Sequence, residues 1–185
     1  MKDISLHLTN AIDAACSAGA TFIKITDNYD TLTGFLTLRV SDNGEGFDFK
    51  TLEIGTYPIY INAQTNEMIF DFSLQKVNVE LAGGRFDLES KLNEGTAVTM
   101  VFDTKSCDFK PLANLAECMQ IAITTHPEVR FCLNLTVDGM EFNFDTSGLR
   151  EYFGENVDFD NIEIYKIIFD YLLDNISALC DGRLV

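Results

Sequence analysis

An acidic, glycine-rich turn at residues 42–46 carries the residue types best suited to hold a ligand. The turn reads Asp-Asn-Gly-Glu-Gly and follows an apolar, alternating stretch. The carboxylate of Asp42 accepts hydrogen bonds, and Gly44 and Gly46 lack the Cβ that keeps a ligand away from the backbone. Taken singly, such a turn between apolar strands most often only closes a hairpin. Its meaning therefore depends on the motifs around it.

Three further features accompany this turn in a fixed order. Asn10 lies on an amphipathic stretch before it, and the alternative interpretation of this residue is a solvated polar side chain. A Gly-Gly pair at residues 83–84 ends a helical pattern, and Gly95 with Thr96 precedes a strand. Each is weak alone, because Gly-Gly usually caps a helix and Gly-Thr suits a turn. The order and spacing together are more specific.

Cysteine and histidine usage predicts neither a disulfide framework nor a metal centre. The five cysteines are scattered, odd in number and without a Cys-x-x-Cys pair, and there are only two histidines. This usage is typical of reduced thiols, and an all-protein zinc site needs four nitrogen or sulfur ligands. We therefore expect no metal ligand set and no catalytic cysteine.

The charge of the chain excludes several classes of partner. There are 13 basic and 29 acidic residues, and such a surface repels phosphodiester backbones. No apolar run approaches the roughly 18 residues that a membrane span requires, and the start has no signal-peptide pattern. The sequence predicts a cytoplasmic protein that binds neither nucleic acid nor membrane.

The hydrophobic periodicity predicts an alternation of helices and strands. Helices are expected at residues 3–18, 70–81, 110–125, 149–153 and 162–179, and strands at 21–26, 35–41, 85–90, 97–103, 131–137 and 141–144. Residues 51–67 lack periodicity and are expected to form a loop or lid. We expect an α/β fold, in detail an α+β two-layer sandwich, with a mixed β-sheet covered by helices on one face.

A change of character near residues 104–110 suggests two parts. We predict a first domain at residues 1–103, to which the resemblance described next applies, and a C-terminal α+β extension at residues 104–185, built from a helix, a β-hairpin and further helices. The alternative is that the tail packs onto the first unit and does not stand alone.

The order of these motifs resembles the GHKL superfamily, the histidine-kinase-like ATP-binding domain of gyrases, heat-shock chaperones, histidine kinases and mismatch-repair ATPases. The chain looks most similar to small stand-alone ATPase-like proteins of anaerobic bacteria. The likeness runs from Ser5 to Phe102 and continues through the tail hairpin at residues 137–139, so it covers most of the chain. It implies a Bergerat-type fold and an adenine-nucleotide pocket.

The resemblance assigns roles to five residues. Asp42 matches the carboxylate that accepts a hydrogen bond from the adenine amino group, and Gly44 and Gly46 belong to the same motif. Thr96 matches the closing threonine of the pocket, and Asn10 falls on the pocket helix. The resemblance thus implies ATP or ADP as ligand, with Mg²⁺ only where the nucleotide binds.

The pocket helix departs from the family pattern in either of two alignments. Without gaps, Asn10 takes the position of the water-activating base and Ala14 that of the magnesium asparagine. In the other register Asn10 is the magnesium ligand and Leu6 takes the place of the base. Alanine has no oxygen for a hard cation, and leucine accepts no proton. Asp13 is a candidate replacement, and both registers remain open.

The segment that corresponds to the phosphate-binding lid departs further. The glycine pair of the family falls on Ile69 and Asp71. Residues 51–75 contain no lysine or arginine, while Glu53 and Glu67 add negative charge. Nothing in this segment neutralises a triphosphate.

These departures predict a pseudoenzyme: a binding or regulatory protein with a degenerate nucleotide pocket, weak or no ATP binding, no catalytic residue and a protein partner. The alternative is an active ATPase or an anti-sigma-type protein serine kinase, in which a partner domain supplies the missing cation or the lid folds differently from this alignment. A lysine or arginine of the tail near the phosphate site would favour this alternative. The candidate tail cations are Lys105, Lys110, Arg130 and Arg150. A third hypothesis, a scaffold with an unrelated ligand, predicts a filled or apolar cavity.

Overall fold

A computed structural model describes residues 4–54, 57–67, 69–105, 114–154 and 157–179 of the chain. Helices and strands alternate along it. Their bounds are α1 (Ile4–Ser17), β1 (Phe22–Asp30), β2 (Phe35–Asp42), β3 (Phe49–Ile54), β4 (Tyr57–Asn62), α2 (Phe70–Leu81), β5 (Arg85–Lys91), β6 (Gly95–Asp103), α3 (Leu115–Thr125), β7 (Arg130–Val137), β8 (Met140–Asp145), α4 (Thr146–Phe153) and α5 (Ile162–Leu179).

Six of the strands form one mixed sheet in the order β5-β6-β2-β1-β7-β8. β1 pairs antiparallel with β2 and parallel with β7, and the remaining pairs are antiparallel. The two strands of the C-terminal part therefore extend the sheet of the N-terminal part. β3 and β4 form a separate two-stranded sheet.

Helices cover one face of the large sheet. In β2 the side chains of Leu36, Leu38 and Val40 are buried, while their neighbours in sequence are half-buried or exposed. α1 contributes a matching apolar face that includes Leu8 and Ile12, because residues three or four apart share one side of a helix. The mixed sheet with helices on one face confirms the predicted fold class.

The predicted loop or lid at residues 51–67 is wrong for most of its length, because β3 and β4 form an antiparallel hairpin there. Phe49 and Tyr60 place their rings edge to face at 5.2 Å between centroids. The signal that was missed is composition: aromatic and β-branched residues are frequent in this stretch, and they favour strands even without strict alternation.

The helix expected at residues 70–81 is present, but its buried face differs from the predicted one. The spacing favoured Leu74 and Leu81 as core residues, yet they are 47% and 69% exposed. Phe72 and Val79 are buried instead. The difference arises because α2 packs on β5 with one side and borders a cleft with the other.

Candidate functional site

A cleft of about 370 Å³ separates α1 from α2. Its α1 wall consists of residues spaced three or four apart, which lie on one flank of the helix. The lining residues are Leu6, His7, Asn10, Asp13, Ala14 and Ser17 from α1, and Leu74, Gln75 and Asn78 from α2. The cleft thus presents amides, a hydroxyl and one carboxylate beside two leucines.

The residues that either alignment of the pocket helix assigns to the site lie on this wall. Asn10 and Ala14 line the cleft, and so does Leu6, the base position of the second register. Asp13 faces the same space, so its carboxylate lies on the wall together with Asn10. The choice between the registers stays open.

A buried hydrogen bond ties the two helices together beside the cleft. The side-chain amide nitrogen of Gln75 donates to the backbone carbonyl of His7 at 2.8 Å. His7 is 4% exposed, and its ring lies 5.5 Å from that of Phe102 on β6. Gln75 and Asn78 were not predicted from the sequence as lining residues. Their position beside Leu74 and their spacing of three on a predicted helix could have indicated a shared polar flank.

The charged residues that line the cleft are few. Among its nine lining residues Asp13 is acidic and none is lysine or arginine. Phosphate groups in proteins are normally held by charge-assisted hydrogen bonds from such cations. Of the four cations predicted from the tail, the three that the structure describes are not among the lining residues of the cleft. Lys105 donates to the Leu32 carbonyl, Arg130 pairs with Asp145, and Arg150 donates to the Pro127 carbonyl, while Lys110 lies outside the described residues.

The carboxylate at the start of the acidic turn is hydrogen-bonded to backbone amides. The carboxylate of Asp42 accepts a hydrogen bond from the amide of Gly44 at 2.7 Å and another from the backbone of Thr96. Burial raises the pKa of Asp42, and these two hydrogen bonds oppose that rise. The carboxylate that the family uses for adenine therefore already has partners.

The two glycines of the turn are required by close backbone contacts. A Cβ on Gly44 would lie 2.9 Å from the carbonyl oxygen of Ala18, at the end of α1. Gly46 has φ of +59°, and a Cβ there would lie 2.3 Å from the carbonyl oxygen of Lys91. Their presence is explained by the fold alone, whether or not a ligand approaches.

The predicted site residues fall into two separate concavities. Asn10 lines the α1–α2 cleft, whereas Asp42 and Thr96 line a more open concavity of about 530 Å³ at the end of β2, β5 and β6. In the latter, the hydroxyls of Ser90 and Thr96 are hydrogen-bonded at 2.8 Å. Gly44 and Gly46 belong to the adjoining turn and are not among the lining residues of either concavity.

An aromatic cluster connects the acidic turn, the hairpin and α2. Phe47, directly after the turn, stacks on Phe72 with 6.0 Å between ring centroids and lies 5.9 Å from Phe49. Phe49 in turn meets Tyr60. This cluster was not predicted from the sequence. The aromatic residues directly after the glycine turn could have indicated it.

The segment before α2 is bonded to the hairpin. The amide of Ile69 donates to the carbonyl of Tyr60 at 2.8 Å, and Ser73 Oγ donates to the carbonyl of Ile69 at 2.8 Å. The same hydroxyl accepts from the amide of Tyr60 at 3.0 Å. Ile69 and Asp71 therefore mark the start of a helix attached to β4, where the resemblance placed the lid glycines.

Residues 4–106 match the family model described as "Histidine kinase-, DNA gyrase B-, and HSP90-like ATPase". The match spans more than half of the chain, so the chain belongs to this family. Among solved structures the chain is similar to the Aquifex aeolicus MutL ATPase domain complexed with ADP, at 15% identity and a TM-score of 0.42. That similarity covers 82% of this chain and 67% of the MutL chain. No curated protein matches the chain.

Proteins of this family bind ATP or ADP together with Mg²⁺. In the cleft of this chain, Asn10 and Asp13 are the side chains whose oxygens suit a hard cation, and none of the lining residues is lysine or arginine. Among the described residues, no group of three or more His, Cys, Asp or Glu side chains is placed to hold a metal. None of the described helices has the length and apolar character needed to cross a bilayer.

Proposed function

We propose that this chain is a binding or regulatory protein on the ATPase fold whose nucleotide pocket is degenerate. The observation that carries the proposal is the α1–α2 cleft, whose lining includes a carboxylate and no lysine or arginine. At an effective dielectric constant of 20, two like charges about 4 Å apart repel by roughly 4 kcal/mol. The carboxylate of Asp13 thus repels a phosphate in the cleft. No cationic lining residue there neutralises the charge of that phosphate.

The state of Asp42 supports the same proposal. Its carboxylate is hydrogen-bonded to the backbone of its own turn and of β6, and it borders a different concavity from Asn10. The protein acts, in this proposal, through a protein partner in the cytoplasm.

A thermal-shift measurement tests the proposal. We expect Mg-ATP and ADP at about 1 mM to leave the melting temperature of the full chain unchanged, since a ligand stabilises only in proportion to its concentration over its Kd. If ATP raises the melting temperature and Asp42→Asn abolishes the effect, the pocket is a nucleotide site and the proposal is wrong. Asp87→Asn, at an exposed position on β5, is the matched control.

The second candidate function is an active ATPase or an anti-sigma-type protein serine kinase. The specific observation in its favour is that Asp13 lies on the cleft wall with Asn10, so two oxygen-bearing side chains face the same space. This candidate requires a cation from a partner or from Lys110. It predicts ATP hydrolysis that is lost in Asn10→Ala and retained in Asp87→Asn, at an exposed position on β5 outside the cleft.

A further inference from the structure

A groove of about 440 Å³ opens at the other end of the sheet, between α4, α5 and the edge strand β8. α2 and its cleft lie next to β5 at the opposite edge, so the two features are separate. The residues that line the groove are mostly apolar or aromatic: Asn143, Phe144, Asp145, Gly148, Leu149, Tyr152, Phe153, Ile167, Ile168 and Tyr171.

Large apolar side chains of this groove face solvent. Tyr152 is 83% exposed, Ile167 53% and Tyr171 49%. The rings are held by neighbours, since Tyr152 meets Phe153 edge to face at 4.9 Å and Tyr171 lies 6.3 Å from Phe144. Concentrated apolar exposure of this kind marks an interaction surface, and ordered aromatic rings lose little conformational entropy on binding.

The surroundings of the groove are acidic. On α5, Asp170 is three residues after Ile167 and Asp174 is three residues after Tyr171, so each carboxylate adjoins an exposed apolar side chain. The described residues between 140 and 179 include eight acidic and two basic side chains. The acidic ones are Glu141, Asp145, Glu151, Asp158, Asp160, Glu163, Asp170 and Asp174, and the basic ones are Arg150 and Lys166.

The negative charge around the groove favours one of the possible occupants over the others. An anionic lipid surface and a nucleic acid would be repelled, as would the same acidic face of a second copy of this chain. An enclosed small-molecule site buries most of its ligand, whereas Tyr152, Ile167 and Tyr171 on the walls here are about half exposed or more. A cationic protein segment with an apolar face complements both the carboxylates and the rings.

We propose that the groove docks a basic amphipathic helix of a partner protein. The apolar face of that helix packs on Tyr152, Ile167 and Tyr171, and its lysine or arginine side chains approach Asp170 and Asp174. Helix-in-groove recognition of this type places anchors at helical spacing in an apolar trough. The proposal does not depend on whether the α1–α2 cleft holds a nucleotide.

The test uses two synthetic peptides of leucine and lysine, each of about 18 residues so that a helix can form. One has the leucines on a single helical face, and the other has the same composition rearranged without a face. Fluorescence anisotropy with the full chain in about 0.15 M NaCl, where exposed charges are partly screened, should give a Kd near 10 μM for the first peptide. The rearranged peptide should bind at least about tenfold more weakly.

Variants locate the binding. Tyr152→Ser with Ile167→Ser should weaken binding of the amphipathic peptide by about tenfold or more, as loss of central aromatic anchors does. The matched control is Leu32→Ser with Leu81→Ser, at apolar positions that are 85% and 69% exposed elsewhere. The control should bind like the unmodified chain, which also shows that such exchanges leave the fold intact.

A second double variant, with its own matched control, tests the carboxylates beside the groove. Asp170→Asn with Asp174→Asn should weaken binding by about threefold to tenfold and reduce its dependence on salt, because rim charges act through screened electrostatics. Asp87→Asn with Glu67→Gln, at exposed acids outside the groove, should leave the affinity unchanged.

Three results would overturn the proposal. The first is equal affinity for the amphipathic and the rearranged peptide, which would indicate bulk charge attraction only. The second is equal binding by the groove variant and its control. The third is a dimer in sedimentation that Tyr152→Ser with Ile167→Ser dissociates, since a second copy would then be the occupant. None of these results depends on ATP binding, so the proposed function is tested separately.

Discussion

Asp27 is a carboxylic acid in the middle of the sheet, on the face that the helices cover. It is 1% exposed, and in the described part of the chain neither carboxylate oxygen has a hydrogen-bond partner. Its neighbours on the adjoining strands are Leu38 and Leu135. Burial raises the pKa of Asp27 to about 8, so the group is mostly protonated in the folded chain at neutral pH.

We expect Asp27 to make the fold less stable as pH rises from about 4 to about 8. Below the unfolded pKa near 3.9 both states are protonated. Between the two pKa values only the unfolded state ionises, which lowers the free energy of unfolding, and above pH 8 the full penalty applies. Asp27→Asn removes this titration. Urea unfolding followed by circular dichroism should give a smaller stability loss from pH 5 to pH 8 in the variant; an equal loss would contradict the assignment.

A substitution at Gly46 tests whether the fold requires the conformation of the acidic turn. With φ of +59° and a Cβ that would sit 2.3 Å from the Lys91 carbonyl, Gly46→Ala should destabilise the chain by about 2 kcal/mol or more. Gly148→Ala in α4 is the control, because a Cβ there meets no atom within 4 Å. It should be neutral or stabilise by up to about 1 kcal/mol. Urea unfolding of the two variants measures the difference, and similar stabilities would show that the turn can move.

Helices were predicted more reliably than strands. The repeat of 3.6 residues in α1, α2 and α5 extends over many positions, so it is hard to obtain by chance. The β3–β4 hairpin was missed because its strands are short and do not alternate strictly. The end of the first strand was also misplaced, since that strand was predicted to end at residue 26, whereas β1 continues to Asp30 and buries the polar Asp27.

The hydroxyl of Ser73 contributes to the attachment of α2 to the hairpin. Ser73→Ala removes both the acceptor of the Tyr60 amide and the donor to the Ile69 carbonyl. Leaving a buried backbone amide unpaired costs about 1–3 kcal/mol. Amide hydrogen exchange at Tyr60 should accelerate in this variant and remain unchanged in Ser17→Ala, an exposed serine on α1. Unchanged exchange in Ser73→Ala would mean that the hairpin is held by other contacts.

The pairing of β1 with β7 joins the two halves of the chain. Eight residue pairs in parallel register, from Phe22↔Arg130 to Tyr29↔Val137, place the C-terminal strands inside the main sheet. The sequence predicted both strands but not their adjacency, because periodicity within a strand carries no information on its neighbours. The placement of Asn10 and Asp42 in separate concavities was unpredictable for the same reason, since it depends on packing between distant segments.

This pairing predicts a single cooperative unfolding transition for the whole chain. A fragment of residues 1–105 would lose β7 and expose the unpaired edge of β1 together with apolar surface that Phe131, Leu133 and Leu135 now cover. We expect the fragment to unfold or aggregate, and calorimetry of the full chain to show one transition. Two transitions, or a fragment with a cooperative transition of its own, would support independent domains.

The central claim is that the α1–α2 cleft offers no adequate site for a magnesium triphosphate. Isothermal titration of the full chain with Mg-ATP, and with ATP in the presence of a chelator, measures this most directly. The account predicts no binding with a Kd below about 1 mM in either titration, because no lysine or arginine lines the cleft to neutralise the phosphates and the carboxylate of Asp13 repels them. Submillimolar, magnesium-dependent binding accompanied by release of phosphate would contradict it.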